Sequence, residues 1–254
     1  METIAIIAQK GGTGKTTTAQ ALAAGLKNRG ARVLLVDADP QGNLTYAMGK
    51  STTRANLYSV LLEETTAQEA IQIIGSIGLI AASPLLATLD LILTQARKEY
   101  RLKKALNSIA GQYEYCIIDT PPALGILTTN ALTASNGAII TAQADIFSLQ
   151  GIGALSPIFQ AIRSHTNPGL TIEGILLTRH NPRTIISREI LSMLEETAQQ
   201  MHTKVFNTTI RENTAIKEAQ ATRQDIYTYD SASNAAADYK AFIDELMRGK
   251  ANNG

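Results

Sequence analysis

A glycine-rich stretch near the amino end has the residue types that hold a phosphate group. Residues 9–17 read QKGGTGKTT and lie between an apolar run and a helical pattern. Glycines let consecutive backbone N–H groups turn toward an anion, and the dipole of the following helix favours negative charge at the same place. Lys15 can neutralise the outer phosphates, and the Thr16 hydroxyl can bind Mg²⁺. The strand, loop and helix context predicts a nucleotide phosphate loop. The predicted contacts are Gly11, Gly12, Thr13, Gly14, Lys15, Thr16 and Thr17.

Three carboxylates stand at the ends of later apolar runs. Asp37 and Asp39 end one run and lie two residues apart, so an extended backbone points both to one side. Asp119 ends another, where it can hold a magnesium ion through water. A single carboxylate at a strand end is usually solvated or caps a helix. Three beside a phosphate loop indicate a function, because sites on parallel sheets lie at the carboxyl ends of the strands.

Short β-branched runs alternate with helical patterns along the chain. We therefore expect an α/β fold of the P-loop NTPase type, with a mostly parallel, doubly wound sheet and helices on both faces. Strands are predicted at 3–8, 33–37, 78–82, 115–119, 138–141, 172–178 and 205–208. Helices are predicted at 16–29, 56–63, 67–74, 84–110, 128–134, 149–165, 184–200 and 233–248. We expect a single P-loop domain over residues 1–254, with a disordered tail at 249–254.

Composition limits the classes of partner and compartment. The net charge of +1 gives no overall attraction for nucleic acid or membrane, so such binding would need a local cluster of charges. Cys116 is the only cysteine, which excludes an internal disulfide and fits a reducing cytoplasm. Two charge-free windows, 70–89 and 120–144, are interrupted by Gly, Pro or Asn and predict no membrane span. No signal peptide is indicated, so we expect a cytoplasmic protein.

Three segments together resemble the ParA/MinD family of dimerising ATPases, and within it the ParA/Soj-type partition ATPases. The loop KGGTGKTT carries a second lysine, Lys10, and has Gln9 where an ordinary phosphate loop has glycine, as in this family's deviant Walker A motif. Residues 37–41 read DADPQ and residues 119–122 read DTPP, which are similar to the family's second and third motifs. The resemblance covers nearly the whole chain and is strongest in these three motifs.

The resemblance implies ATP and Mg²⁺ as cofactors and gives roles to individual residues. Lys15 would bind the nucleotide of its own subunit, and Lys10 would reach across a dimer to the partner's nucleotide. Asp39 would position the attacking water, and Asp37 would support it and the magnesium shell. Asp119 would be the Walker B acid. Thr16 would complete the metal site.

Two later segments resemble parts of the family that contact adenine and DNA. Residues 210–213 read IREN and imply Arg211 and Asn213 on the adenine side, although the family usually has proline where Arg211 stands. Ala215 occupies the position of a family arginine that helps to hold DNA, so Lys217 or Arg223 would have to substitute for it. The implied DNA contacts are Arg183, Arg179, Arg188, Lys217 and Arg223. A solvated helix start is the ordinary alternative for such a basic cluster.

The implied function is a ParA-type ATPase that forms an ATP-dependent homodimer and binds double-stranded DNA without sequence preference. A ParB-like centromere-binding adaptor would stimulate its slow hydrolysis, and the protein would be associated with the nucleoid. One alternative is a MinD-like regulator, but the polar tail lacks the basic amphipathic helix expected for membrane binding. A positioning ATPase for another cargo remains open. Two metabolic enzymes of the same superfamily are disfavoured. A synthetase usually needs a further substrate domain, for which the chain has no room. An iron–sulfur reductase needs several cysteine ligands, and the chain has one cysteine.

Overall fold

The computed structural model describes residues 1–181 and 185–251, apart from the side chains of residues 185–188 and 251. The strands are β1 (Glu2–Ile7), β2 (Val33–Asp37), β3 (Ile71–Ile74), β4 (Ile77–Ile80), β5 (Tyr115–Asp119), β6 (Gly137–Ala142), β7 (Thr171–His180) and β8 (Ile210–Arg211). They form one sheet in the order β3-β4-β2-β5-β1-β6-β7-β8. Only the β3–β4 pair is antiparallel among these strands. The predicted mostly parallel sheet is confirmed.

Helices cover both faces of this sheet. They are α1 (Lys15–Lys27), α2 (Asn43–Ala47), α3 (Leu57–Leu61), α4 (Ala67–Ala70), α5 (Leu89–Ile92), α6 (Arg101–Asn107), α7 (Ile126–Ala134), α8 (Ile146–His165), α9 (Ile185–Gln200), α10 (Thr214–Ala221), α11 (Ile226–Tyr229) and α12 (Asn234–Ala251). Two 3₁₀ turns lie at Pro84–Thr88 and Lys98–Tyr100. On one face α1, α2, α10, α11 and α12 share a core, and the remaining helices share the core on the other face.

The parallel pairing sets the position of the functional edge. Ile6 of β1 is level with Asp119 of β5, and Asp37 of β2 is also level with Asp119. Because β1, β2 and β5 run in the same direction, their carboxyl ends and the segments that follow them meet at one edge. The loop after β1 therefore lies beside both acidic strand ends.

The helix predicted at 67–74 is wrong in its second half. The helix ends at Ala70, and residues 71–74 form β3, which pairs with β4. Thr66 and Glu69 cap the short helix reciprocally, which resembles the start of a longer one. Ile71, Ile73 and Ile74 are β-branched and favour a strand, and Gly75 has φ 58°, as the tight turn to β4 requires.

The long helix predicted at 84–110 is also wrong. The segment contains a 3₁₀ turn, α5, a second 3₁₀ turn and α6, with no helix between Ile92 and Lys98. Arg97 has φ 63°, which no helix can contain. Asn130 of α7 contributes to the interruption: its Nδ2 donates to Lys98 O at 3.1 Å and its Oδ1 accepts from Leu102 N at 3.0 Å, two groups that an unbroken helix would bond to each other. Tertiary contacts thus override the helical periodicity.

Two smaller differences lie toward the carboxyl end. The strand predicted at 205–208 is reduced to one bridge between Val205 and Ile175, and the edge strand is β8 instead. The helix α12 continues to Ala251, so residues 249–251 are helical and not part of a tail. Lys250 anchors this end through ion pairs with Glu2 (2.7 Å) and Glu173 (3.1 Å). Residues 252–254 lie outside the described residues.

The contact between α1 and α12 predicts the effect of one substitution. Gly25 of α1 faces Ile243 and the Tyr227 hydroxyl so closely that an added Cβ would overlap both. We expect Gly25→Ala to lower the free energy of unfolding by about 1–3 kcal/mol through overpacking. Chemical denaturation measures this change. Gly153→Ala on α8 is the matched control, because it has open space around it and should gain roughly 0.5–1 kcal/mol from helix propensity. Equal stabilities of the two variants would contradict the packing.

Candidate functional site

A cavity of about 610 Å³ opens at the carboxyl edge of the sheet, between the loop after β1, α2 and α10. This volume is within the range of small-molecule sites. Most residues predicted from the sequence to bind a nucleotide line it. The predicted residues that line the cavity are Gly11, Gly12, Gly14, Lys15, Thr16, Thr17, Asp39, Arg179, Arg211, Asn213 and Lys217.

The loop between β1 and α1 has the backbone that an anion site needs. Gly12 has φ 78° and Gly14 has φ 84°, values that strain any residue with a side chain. Gly14 is also the residue before the first turn of α1 and has no capping side chain. The first backbone N–H groups of α1 are thus available to an anion, which the helix dipole favours at the same point.

Lys15 begins α1 and is buried at the base of the cavity. Its Nζ is 3.4 Å from the carbonyl oxygen of Lys10. Burial lowers the pKa of Lys15, and the negative charges of Asp119 and Asp39 oppose this by favouring its charged form. A phosphate group would add a closer negative charge and stabilise the ammonium further.

Thr16 and Asp119 form the part of the site that fits a magnesium ion. Thr16 Oγ1 donates a hydrogen bond of 2.7 Å to Asp119 Oδ2. The other oxygen, Asp119 Oδ1, is buried and has no hydrogen-bond partner among the described residues. Burial and the nearby charge of Asp37 raise the pKa of Asp119. A divalent cation would remove this penalty, and Mg²⁺ is usually held by one or two carboxylates together with phosphate and water.

The described residues contain no group of three or more His, Cys, Asp or Glu arranged to hold a metal by themselves.

Asp37 is completely buried, and both of its oxygens are already engaged. Oδ2 accepts hydrogen bonds of 2.7 Å from both the N–H and the hydroxyl of Thr45, and Oδ1 accepts one of 3.2 Å from Asp39 N. Burial raises the pKa of Asp37 to about 6, although the bonds from Thr45 lower it. Asp37 therefore ties the end of β2 to α2. Asp39 lies at the cavity wall, and its Oδ1 accepts a bond of 3.0 Å from Gln41 N.

Lys10 points away from the cavity of its own chain. Its Nζ donates to Asp145 Oδ2 at 2.8 Å and lies 5.9 Å from the ring centre of Phe147. Asp145 also caps α8 by accepting a bond of 2.9 Å from Ser148 N. Burial would raise the pKa of Asp145, but the hydrogen bonds from Lys10 and Ser148 N lower it overall. Asp145 has no motif around it, so the sequence did not indicate this ion pair.

Arg211 and Asn213, which the sequence predicts on the adenine side, line the cavity next to the start of α10. The Arg211 guanidinium binds Asp238 through Nη2 (2.6 Å) and Nε (3.0 Å), and Arg211 N donates to the same carboxylate. Asn213 caps α10 by accepting a bond of 2.9 Å from Ala215 N. Both side chains are therefore held by contacts within the chain.

The predicted DNA contacts are only partly brought together. Arg179 pairs with Glu212 at 2.8 Å on the rim of the cavity. Lys217 is exposed on α10, and Arg223 is exposed with its guanidinium 4.6 Å from the ring centre of Tyr46. Arg183 lies outside the described residues. Arg188 belongs to α9, but its side chain is not described.

Comparisons with known proteins place this geometry in a family. The family model described as an AAA domain matches residues 1–172. The sporulation initiation inhibitor protein Soj of Bacillus subtilis is 39% identical over 249 residues, which are 96% of this chain and 97% of Soj. The chain belongs to the ParA/Soj family of partition ATPases. The chromosome partitioning protein ParA of Caulobacter vibrioides is 36% identical over 254 residues, covering 97% of this chain and 94% of that protein.

Solved structures agree with the fold and the cofactors of this ParA/Soj family member. Cobyrinic acid a,c-diamide synthase from Mycobacterium smegmatis with bound ADP and magnesium has a TM-score of 0.85 and 31% identity, covering 100% of this chain and 97% of that one. Apo McdA from Cyanothece has a TM-score of 0.88 at 24% identity, covering 97% and 99%, which shows the fold alone. The chain is a P-loop ATPase that uses ATP and Mg²⁺. Within the described residues, no helix is both long enough and apolar enough to cross a bilayer.

The position of Lys15 predicts the effect of removing it. We expect Lys15→Ala to weaken ATP binding by roughly 100-fold or more, because it removes the buried positive charge nearest the phosphates. Isothermal titration calorimetry with Mg-ATP measures the change. Lys27→Ala, at the exposed end of the same helix, is the control and should bind like the wild type. Unchanged affinity of the Lys15 variant would contradict the phosphate-loop assignment.

Proposed function

We propose that this chain is a ParA-type partition ATPase that closes into a homodimer around Mg-ATP and then binds double-stranded DNA without sequence preference. A ParB-like adaptor stimulates its hydrolysis. The observation that carries the proposal is the opposite placement of the two loop lysines: Lys15 is buried under the cavity, whereas Lys10 points out of it. A lysine that does not contact the nucleotide of its own subunit is available to contact the nucleotide of a second subunit.

The contact that holds Lys10 is suited to exchange. Lys10 and Asp145 are each about one third exposed, at 34% and 30%, and ion pairs of this exposure contribute about 0–1 kcal/mol. The phosphates of a nucleotide carry more negative charge and can replace Asp145 at small cost. Ile146 and Phe147 are exposed next to this pair, and a second copy would bury them as it brings its nucleotide to Lys10.

Hydrolysis in this proposal depends on positioning. Asp39 orients the attacking water, while Asp37 holds the backbone of Asp39 in place through the Oδ1 bond. The magnesium ion, when bound beside Asp119 and Thr16, neutralises charge on the phosphates. Arg179, a positively charged residue at the rim of the cavity, is paired with Glu212 and so does not point its charge at the phosphates. A slow basal rate that rises when the adaptor binds is consistent with a site that relies on positioning and charge.

DNA binding in this proposal arises from pairing two weak surfaces. Lys217, Arg223 and Arg179 lie around one end of the cavity, but Glu212 neutralises part of their charge. A net charge of +1 gives a single chain little attraction for DNA. A closed dimer doubles the number of basic residues on one composite face, and the affinity then comes from releasing counterions on phosphate contact.

The same mechanism would also suit a MinD-like ATPase that places the division site, or an ATPase that positions an organelle, instead of one that moves a plasmid or chromosome. Relatives that are named chromosome partitioning proteins favour DNA segregation. An adaptor candidate encoded beside this protein can be purified and added to the ATPase with and without DNA. The rate of ATP hydrolysis then distinguishes these functions, because a DNA-segregation system should need DNA for stimulation.

Removing the outward lysine tests the dimer. We expect Lys10→Gln to bind Mg-ATP within about threefold of the wild-type affinity, since an exposed pair is worth little, but to stay monomeric when ATP is present. Light scattering with ATP and with ADP measures the association. Lys104→Gln is the matched control, because Lys104 forms a similar exposed ion pair with Glu63 at 2.7 Å and should still dimerise. An ATP-dependent dimer of the Lys10 variant would refute the cross-subunit role.

Reversing charges on the described basic residues tests DNA binding. We expect Lys217→Glu combined with Arg223→Glu to weaken ATP-dependent binding to random-sequence duplex by roughly 100-fold or more, because each dimer loses four contacts. Fluorescence anisotropy at two salt concentrations, with ATP and with ADP, measures the affinity and its salt dependence. Lys27→Glu, on the exposed far end of α1, should change it little. Equal binding with ATP and ADP would contradict the nucleotide switch.

A further inference from the structure

The outer side of the phosphate loop is held by side chains that no motif includes. Thr178, near the end of β7, donates through Oγ1 to the carbonyl oxygen of Thr13 at 2.8 Å. Gln143, just after β6, donates through Nε2 to the carbonyl oxygen of Gly12 at 2.9 Å. Both donors come from the strands on one side of β1.

These two bonds control which way the loop's N–H groups point. In a trans peptide the C=O and the N–H point in opposite directions. Holding the Gly12 carbonyl toward Gln143 therefore turns the N–H of Thr13 the other way. Holding the Thr13 carbonyl toward Thr178 does the same for the N–H of Gly14. Glycines at these positions leave the peptides able to rotate, so something outside the loop must hold them.

We propose that Thr178 and Gln143 are positioning residues of the phosphate loop, which keep its N–H groups facing the nucleotide before the nucleotide arrives. Neither residue needs to touch the ligand. Thr178 lines the cavity, but Gln143 does not, so Gln143 separates positioning from direct contact. The inference rests on the proposed ATP-binding role of this loop.

A second set of contacts supports this arrangement from the same side. Thr13 Oγ1 lies 3.0 Å from Thr141 Oγ1 of β6, and the Thr178 hydroxyl is also 3.2 Å from the carbonyl oxygen of Ala142. Thr178 is almost completely buried. Its hydroxyl thus connects the loop to both β6 and β7, and a valine of equal shape at this position would remove the connection without leaving a cavity.

Loss of positioning has a signature that loss of a direct contact lacks. If the binding-competent loop conformation becomes less populated, every ligand of the loop binds more weakly by the same factor. Removal of a contact to one phosphate group would instead change ATP and ADP affinities by different factors.

Calorimetry with Mg-ATP and with Mg-ADP tests the inference on the full chain. We expect Thr178→Val to weaken both by about tenfold, since a buried carbonyl loses its partner. Thr178→Ser keeps the hydroxyl and should bind within about threefold of wild type, a range that corresponds to a minor change in free energy. Gln143→Met should weaken both nucleotides by a common factor, and it covers the case in which Thr178→Val does not fold.

Two control variants have the same bond type away from the loop. Thr203 donates to the carbonyl oxygen of Ile172 at 2.8 Å at the opposite end of β7, and Gln72 donates to that of Ser51 at 3.2 Å. Thr203→Val and Gln72→Met should keep wild-type nucleotide affinity. Unchanged affinity in both Gln143→Met and folded Thr178→Val would overturn the inference, as would equal losses in the controls. A wild-type chain that binds no ATP would instead remove the proposed function itself.

Discussion

The burial of unlike charges at one edge of the sheet is the constraint on which the site depends. Lys15, Asp37 and Asp119 lie within a region from which water is largely removed, and Asp39 is close by. Three carboxylates face one ammonium, so burial and mutual repulsion raise the pKa of Asp37 and Asp119. Isolated charges in such a place are costly, and they persist when a ligand completes the balance. A divalent metal ion supplies the positive charge that the carboxylates lack, and a polyphosphate binds together with that ion.

The parallel sheet makes this concentration possible without local strain in the acids. Three strands end level with one another and deliver Asp37, Asp119 and the phosphate loop to the same edge, although the acids are separated by 82 residues in sequence. Hydrogen bonds then assign different tasks to similar groups. Both oxygens of Asp37 accept hydrogen bonds from Thr45 and Asp39 N, so Asp37 holds the backbone in place. Asp119 Oδ1 has no hydrogen-bond partner in the part of the chain that the structure describes, so it can bind a cation.

Local patterns were sufficient for the parts of the protein that act locally. The phosphate loop, the strand ends at Asp37 and Asp119, and the order of most elements were predicted because glycine turns, apolar strands and caps are encoded by neighbouring residues. The failures occurred where distant contacts decide. Residues 71–74 form a strand through pairing with β4, and the predicted helix at 84–110 is interrupted in part because Asn130 of α7 bonds the backbone of Lys98 and Leu102. Thr45, Gln143, Thr178 and Asp145 carry no spacing signal, since their partners are set by the register of the sheet.

The two lysines of the phosphate loop, Lys10 and Lys15, point in different directions and lie in different environments although they are close in sequence. Lys15 is the first residue of α1, so its direction is fixed by the helix and its environment is the buried base of the cavity. Lys10 precedes the glycines, and the turn they make sends it toward α8, where Asp145 at the helix start neutralises it. The residues that fasten the turn, Gln143 and Thr178, come from the same side of the sheet as Asp145. The side of the loop that faces β6 and β7 therefore controls both the shape of the phosphate site and the direction of the Lys10 ammonium. A substitution on that side would affect nucleotide binding and association between subunits together.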